Sequence, residues 1–591
     1  MTLVLSFRHL MRLINLFLFF FVITTAIAHA TRLEVDVRSS EPSLQSIVKD
    51  ALTTPTLSDD DERLNRQRLG SYQRQLPRLV NEIIEPYGYF YSTVTTRLEQ
   101  PASDHYRIII EVDAGEPLLI TKLNLDISGA GSKHPDLQRL INQFPLQVND
   151  VLRQDLYKQG KASLRREASA LGYLDATFDV HVIEVHLQEQ RAEIDLQFAT
   201  GEQYHFGATH YVDRAGYPER FLKRFVSYRQ GDVFSYSLLG KTQVNLIDAD
   251  LFRSVSVQAM AQEVENHQVP VEIELLPLPR HRLRPGIGYG TDTGGRISLD
   301  YRHLNLWGAA HELVGKLLIA QWRQQFETTY IIPDRRRLDS LTLLTVGSEQ
   351  EDVDTYYRRE VFAEAQYRRS FGRGYRGSLF VRATSERSRV ADNDSRTQLL
   401  LQGFRLSWQQ LDHPMTPERG SKIQLELQGA DENWLSDTSL LQLTVDAATL
   451  IPLPQRFSVF IRLRGGTTWH RHEFNTLPVS LRYFAGGDRS VRGFKYNSLG
   501  PLNDEGEVVG GKHLLVGSVE LEKRFLQQWG IAIFYDVGNA FDSFNDYQLK
   551  QGTGVGLRYF TQIGAIRLDL ARQLGERDNG YRLHFSLGLA W

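Results

Sequence analysis

From Leu283 to the last residue the chain alternates apolar and polar positions, the pattern of β-strands with one apolar and one polar face. Sixteen segments carry it, near 283–292, 297–306, 312–322, 325–332, 338–350, 356–370, 374–385 and 395–411, then near 420–429, 439–451, 457–470, 514–525, 529–538, 552–560, 563–571 and 581–591. In 457–464, Phe457, Val459, Ile461 and Leu463 oppose Ser458, Phe460, Arg462 and Arg464. The last segment is the clearest, with Tyr581, Leu583, Phe585, Leu587, Leu589 and Trp591 facing away from Arg582, His584, Ser586, Gly588 and Ala590. A spacing of about 19 residues suits membrane strands of about 10 residues plus connections. The pattern predicts a 16-stranded antiparallel transmembrane β-barrel over 280–591, with both ends on one side.

One connection breaks the rhythm. After the eleventh strand about forty residues, 471–513, separate it from the next, against 2–5 for an ordinary hairpin. A connection that long is functional or disordered. It contains Arg489-Ser490-Val491-Arg492-Gly493-Phe494. In the strands that follow, Ser518, Glu520 and Glu522 oppose Gly517, Val519 and Leu521, and Ala532, Phe534, Asp536 and Gly538 oppose Ile531, Ile533, Tyr535 and Val537. Glu520 and Asp536 therefore share a polar face. Arg492, followed by a glycine free to take positive φ, is the cation to meet them.

Before the barrel a β-α-α-β-β unit recurs with a period of about 80 residues, the mark of a modular array. Its helices end in Gly88-Tyr89-Phe90 and Gly172-Tyr173-Leu174, and the units close on Gly115-Glu116-Pro117 and Gly201-Glu202-Gln203. The third has Asp250-Leu251-Phe252 at the first of these corners. The units are assigned to 31–115, 116–201 and 202–279. Ahead of them, Arg8 and Arg12 precede the apolar run 13–23, and Ala28-His29-Ala30 offers a cleavage site, so 1–30 reads as an export signal.

Composition narrows the class. A net charge of −3 with well-mixed signs gives no footprint for nucleic acid, and the absence of cysteine removes disulfides, thiolate metal sites and an N-terminal lipidated Cys. The mean hydropathy of −0.33 does not argue against a membrane, because a barrel conceals its apolar face in alternation.

The repeats resemble POTRA (polypeptide-transport-associated) domains through their helix–Gly–Tyr/Phe–strand corner. Val491-Arg492-Gly493-Phe494 is similar to the signature of the outer-membrane assembly superfamily that includes BamA, TamA, the mitochondrial sorting pore and two-partner secretion transporters. Asp412, Pro417 and Gly420 resemble its periplasmic turn, and Phe534-Tyr535-Asp536-Val537-Gly538-Asn539 its strand-13 motif. The resemblance implies that Arg492 of loop 6 tucks into the lumen against Glu520 and Asp536. Three POTRA units, rather than five or two, look most like the TamA type. That implies a barrel in the bacterial outer membrane with POTRA domains in the periplasm, and a large TamB-like partner anchored in the inner membrane. Its clients would be unfolded outer-membrane or autotransporter-type proteins. A secretion transporter and a BamA-like insertase are the neighbouring alternatives, and a passive channel the alternative from another class. A passive channel needs neither the repeats nor a plugging loop.

Gly240-Lys241-Thr242 lacks the first glycine and context of a phosphate loop. His470-Arg471-His472 reads as an exposed loop start, and Asp59-Asp60-Asp61-Glu62 as a solvated turn without the remaining ligands of a calcium loop. No nucleophile motif is present. The expectation is a non-enzymatic protein without a cofactor. Gly286, Gly288 and Gly290 weaken the first strand, each interior glycine by roughly 0.5–1 kcal/mol. Two readings follow: the glycines make room for loop 6, or they mark a lateral gate where the first strand parts from the last, near Trp591.

Overall fold

The computed structural model describes residues 31–588, apart from 59–61, 103–104, 414–416, 473, 546, 562–563 and 576–579. The export-signal assignment and Trp591 lie outside the described residues. Contact density divides the chain into two compact units, one holding residues up to Ala208 with 228–238 and 259–271, the other 209–227, 239–258 and 272–591.

The repeats form three small sheets. The first unit runs β1 (Arg32–Ser39), α1 (Pro42–Ala51), α2 (Glu62–Ile84), β2 (Thr93–Ala102) and β3 (His105–Asp113). Its order is β1-β3-β2, with β1 parallel and β2 antiparallel to the central strand. Leu69, Leu76, Val80 and Ile84 give α2 one apolar stripe, which closes on Ile108 and Ile110 of β3. The second unit, β4 (Leu119–Ser128), α3 (Pro135–Asn142), α4 (Gln154–Ala170), β5 (Thr177–His186) and β6 (Arg191–Ala199), repeats the order as β4-β6-β5. The third has β7 (His205–Asp213), α5 (Glu219–Leu222), α6 (Tyr236–Asp248), β8 (Phe252–Ala259) and β9 (Gln268–Pro277), ordered β7-β9-β8. The first helix of the third unit is short. A single α-turn passes into a 3-10 turn and Val226 is extended, which lets the Ser227 N–H donate to Thr242 Oγ1 at 2.9 Å. Gly240-Lys241-Thr242 lies inside α6.

The repeat is visible in backbone geometry. Gly88 and Gly172 have φ of 93° and 82°, and the closing Gly115 and Gly201 both have 67°. Asp250, at the third corner, takes φ 53°, a left-handed conformation that costs a non-glycine residue roughly 1–2 kcal/mol. Its carboxylate meets Arg282 at 3.2 Å and Arg302 at 3.0 Å, contacts a glycine would lack.

The barrel strands are β10 (His281–Gly290), β11 (Gly294–Leu306), β12 (His311–Ala320), β13 (Arg323–Pro333), β14 (Ser340–Val353), β15 (Tyr356–Gly372), β16 (Tyr375–Val390) and β17 (Asn393–Leu411). They continue as β18 (Gly420–Ala430), β19 (Leu440–Leu453), β20 (Phe457–His470), β21 (His513–Arg524), β22 (Trp529–Phe541), β23 (Lys550–Thr561), β24 (Gly564–Leu574) and β25 (Tyr581–Gly588). They close in sequence order. Alternation sorts them as expected: Ile531, Ile533 and Tyr535 are exposed on the outside, while Ala532, Phe534 and Asp536 are buried within. No helix among the described residues is long and apolar enough to cross a membrane.

Candidate functional site: the lumenal arginine and the barrel seam

Loop 6, residues 471–512, folds back into the barrel. Ala485, Val491, Phe494 and Leu499 pack with Leu514, Val516 and Ala540 of the wall, and Leu477 and Leu481 with Leu399, Leu401 and Leu440. Such burial gives an otherwise irregular segment one position. Gly493 has φ 99°, the left-handed turn anticipated after the arginine.

The turn aims Arg492 at β21 and β22. Its Nε and Nη2 donate to the two oxygens of Asp536 at 2.7 and 2.9 Å, a bidentate pair, and its backbone N–H adds a third bond to the same carboxylate at 3.0 Å. Nη1 donates to Glu520 at 2.8 Å and to Asp569 at 3.0 Å. Ser518 Oγ donates to Asp536 at 2.6 Å. Below this layer Arg558 donates through Nη2 to Glu520 at 2.7 Å and through Nη1 to Asp569. Glu520 and Asp569 each offer one oxygen to each arginine, so two cations and three carboxylates form a closed lattice.

Arg492 is 4% exposed and Asp536 0%. Ionised groups this deep persist only when every donor and acceptor is met. The guanidinium also lies 3.4 Å above the Phe534 ring centroid. Glycines of β23 make room for the stack. A Cβ on Gly552 would stand 2.0 Å from the Arg492 carbonyl oxygen, and one on Gly554 2.5 Å from Phe534.

The structure thus brings together Arg492, Glu520 and Asp536, with Val491 and Phe494 packed in the loop core. Asp569, Arg558 and Ser518 were not singled out from sequence. Their signal was parity: Arg567, Asp569 and Ala571 alternate with Leu568 and Leu570, and Gly552-x-Gly-x-Gly-x-Arg558 marks a thin lumenal stripe. His470 and His472 are engaged with Thr438 and Glu432 at the start of the loop.

Gly286, Gly288 and Gly290 do not make room for loop 6. A Cβ on the first two would meet Ser298 and Arg296 of β11, and on the third Thr293 and the Phe585 carbonyl oxygen. The glycines that do make room are on β23, at Gly552, and on β20, where a Cβ on Gly466 would stand 2.3 Å from Tyr483 of the loop. Where β10 meets β25 the ladder among the described residues is the single pair Gly290–Ser586, whereas β24 pairs with β25 continuously from Ala565–Gly588 to Arg572–Tyr581. Side chains supplement the seam. Thr291 Oγ1 accepts from the Phe585 N–H at 2.6 Å, and Arg296 Nη2 donates to the Leu587 carbonyl at 3.0 Å.

Asp292, Asp488 and His584 gather at the same seam, with one ligand-type atom of each within 4.8 Å of the others. The imidazole has no lone pair left for an ion. Nε2 accepts the Gly493 N–H at 3.0 Å, which places the proton on Nδ1, facing Asp488. The trio is a hydrogen-bonded clasp.

Comparison with known proteins agrees with this geometry. Residues 305–591 match the Omp85 superfamily domain, and 34–114 match the POTRA domain of the TamA domain 1 type. The chain belongs to the Omp85 superfamily. Omp85 barrels reside in the outer membrane with their POTRA domains in the periplasm, and that is where this chain resides. An outer membrane protein assembly factor BamA from Nitratidesulfovibrio vulgaris is 23% identical over 402 residues, covering 63% of this chain and 49% of the relative. One from Buchnera aphidicola is 18% identical over 228 residues, 38% of this chain and 36% of the relative. The chain therefore spans half or less of the length of these curated relatives. Among solved structures, BamA from Haemophilus ducreyi lacking POTRA domains 1–3 superposes with a TM-score of 0.66 at 15% identity, covering 80% of this chain and 99% of that one, a likeness of fold. On the Omp85 topology, with chain entry from the periplasm, loop 6 and the β10–β11 turn belong to the extracellular end.

Proposed function

We infer that this chain is an outer-membrane assembly or translocation factor of the TamA type. In this reading it works without enzymatic chemistry or cofactor. It receives periplasmic clients through its POTRA array and assists their insertion at the β10–β25 seam, with an inner-membrane-anchored, periplasm-spanning partner. The observation that carries it is the pairing of a loop locked into the lumen by Arg492 with a seam whose ladder, among the described residues, is one residue pair long. A passive channel gains nothing from either. Unpaired backbone groups in lipid cost several kcal/mol each, so the free edge of a parted β10 would favour a client strand. The TamA-type match of the first POTRA unit favours this branch over a BamA-like insertase or a two-partner secretion transporter.

The test is a cross-linked pull-down of the full chain from cell envelopes. The expected result is recovery of a large inner-membrane-anchored protein together with autotransporter-type clients. Recovery of a single cognate secreted substrate and no inner-membrane partner would overturn the assignment in favour of a secretion transporter.

A further inference from the structure

The clasp at the seam joins three separate parts of the barrel. Asp292 sits in the turn between β10 and β11, Asp488 in loop 6, and His584 in β25. Asp292 Oδ2 accepts the Asp488 N–H at 2.6 Å. Gly487 has φ 99°, and a Cβ there would stand 2.5 Å from the same oxygen, so the loop backbone is pressed against the first hairpin. The Asp488 carboxylate accepts a hydrogen bond from His584 Nδ1–H, and His584 Nε2 accepts one from the N–H of Gly493, the residue after the lumenal arginine. Gln573 of β24 holds the Gly493 carbonyl from the other side at 2.8 Å.

No element is dispensable in this chain of bonds. Among the described residues β10 reaches β25 through one ladder pair, the Thr291–Phe585 bonds and the Tyr289–Phe585 ring contact, and through a loop that both grip. Moving loop 6 away from β22 pulls Gly493 from His584 and Asp488 from Asp292 together. His584 is 3% exposed, so water cannot replace the lost partners in place.

We propose that Asp292, Asp488 and His584 are positioning residues that make loop 6 the bolt of the barrel seam, so that the seam parts when the loop withdraws. This rests on the seam being the working edge of the barrel. It adds the element that controls that edge and the residues through which it does so.

The chain has no cysteine, so the seam can be read by one introduced pair. The Gly290–Ser586 register places Tyr289 opposite Leu587. Full-length protein carrying Tyr289→Cys and Leu587→Cys in lipid vesicles is oxidised, and disulfide formation is timed by gel mobility. His584→Phe keeps the ring volume and removes both nitrogens, and should slow trapping about tenfold, the effect of losing one hydrogen bond to a charged group. His584→Gln restores the rate, because its amide can donate to Asp488 and accept from Gly493. Asp292→Ala slows trapping from the opposite side of the seam and serves should the phenylalanine variant not give a folded, heat-modifiable barrel. Trapping at the parental rate in both disruptive variants, or equal slowing by Gln and Phe, overturns the proposal. Client insertion is assayed alongside. Slower trapping with unchanged insertion supports the bolt and refutes lateral release as the function of the seam.

Discussion

At Asp536 the lumenal lattice is least forgiving. Glu520 and Asp569 keep Arg558 if the Arg492 side chain is removed, but Asp536 keeps hydrogen bonds only from neutral donors, the Ser518 hydroxyl and the backbone N–H of residue 492. Stranding one buried partner costs on the order of 3–5 kcal/mol, so Arg492→Ala should destabilise the folded barrel by that amount in urea titrations followed by heat-modifiable migration. Adding Asp536→Asn should recover most of it, since the stranded charge is gone. Adding Glu520→Gln should deepen the loss, because Arg558 then loses a partner. Equal effects of the two second substitutions would show that the lattice is not partitioned in this way. Asp292 sets a pH dependence. Burial, and then the neighbouring Asp488 carboxylate, push its carboxyl up to about 7, while the Asp488 N–H, His584 and Arg489 facing it pull the other way. A carboxyl raised above its unfolded value of about 3.9 stabilises fully below that value and loses its contribution as pH rises through the folded one. Seam trapping, divided by that of Asp292→Asn to cancel the pH dependence of the thiols themselves, should therefore weaken between about pH 4 and about pH 7. A parallel decline in both proteins would assign the effect elsewhere.

The elements that repeat are joints as much as domains. The Gly88 carbonyl accepts the Leu118 N–H at 2.8 Å, and the Gly172 carbonyl accepts the Tyr204 N–H at 2.8 Å. Each corner also presses on the next unit. A Cβ at Gly88 would stand 2.7 Å from the Leu152 carbonyl oxygen, and one at Gly172 2.9 Å from that of Tyr204. Isolated bridges at the same places, Leu119–Val151 and His205–Val233, complete matching hinges. Gly172→Ala meets both objections, a left-handed backbone worth roughly 1–2 kcal/mol and a contact too short for any rotamer to relieve. It should expose the 201–204 connection to protease several-fold faster while leaving barrel migration unchanged. A protection pattern identical to that of the parent chain would mean the hinge is not strained.

For the whole molecule, division of labour is the expectation that follows. The first unit has its own apolar core, from Val37 to Ala114, and its own three-stranded sheet. Deleting 31–115 should leave a heat-modifiable barrel in the membrane while abolishing capture of the inner-membrane partner in the envelope pull-down. Capture that persisted without the first unit would move partner selection to the later repeats or to the barrel.

Much of this was settled by the chain alone, since period-2 alternation is a local property. Sixteen strands, the long eleventh connection and the shared face of Glu520 and Asp536 all follow from parity along single segments. So did the corner glycines, because left-handed backbone selects glycine wherever it recurs. The third corner departs from that rule for a non-local reason. Asp250 bears the strain because Arg282 and Arg302, some thirty and fifty residues on, need its carboxylate. Asp569, Arg558 and the Asp292–Asp488–His584 clasp were likewise beyond the sequence. Their partners are separated by up to 196 residues and meet only because the barrel closes and loop 6 turns inward. The glycines show the same division. Sequence marks both thin strands alike, and only the tertiary structure sets Gly552 of β23 against the loop and Gly286 and Gly288 of β10 against β11, because it decides which walls the loop leans on.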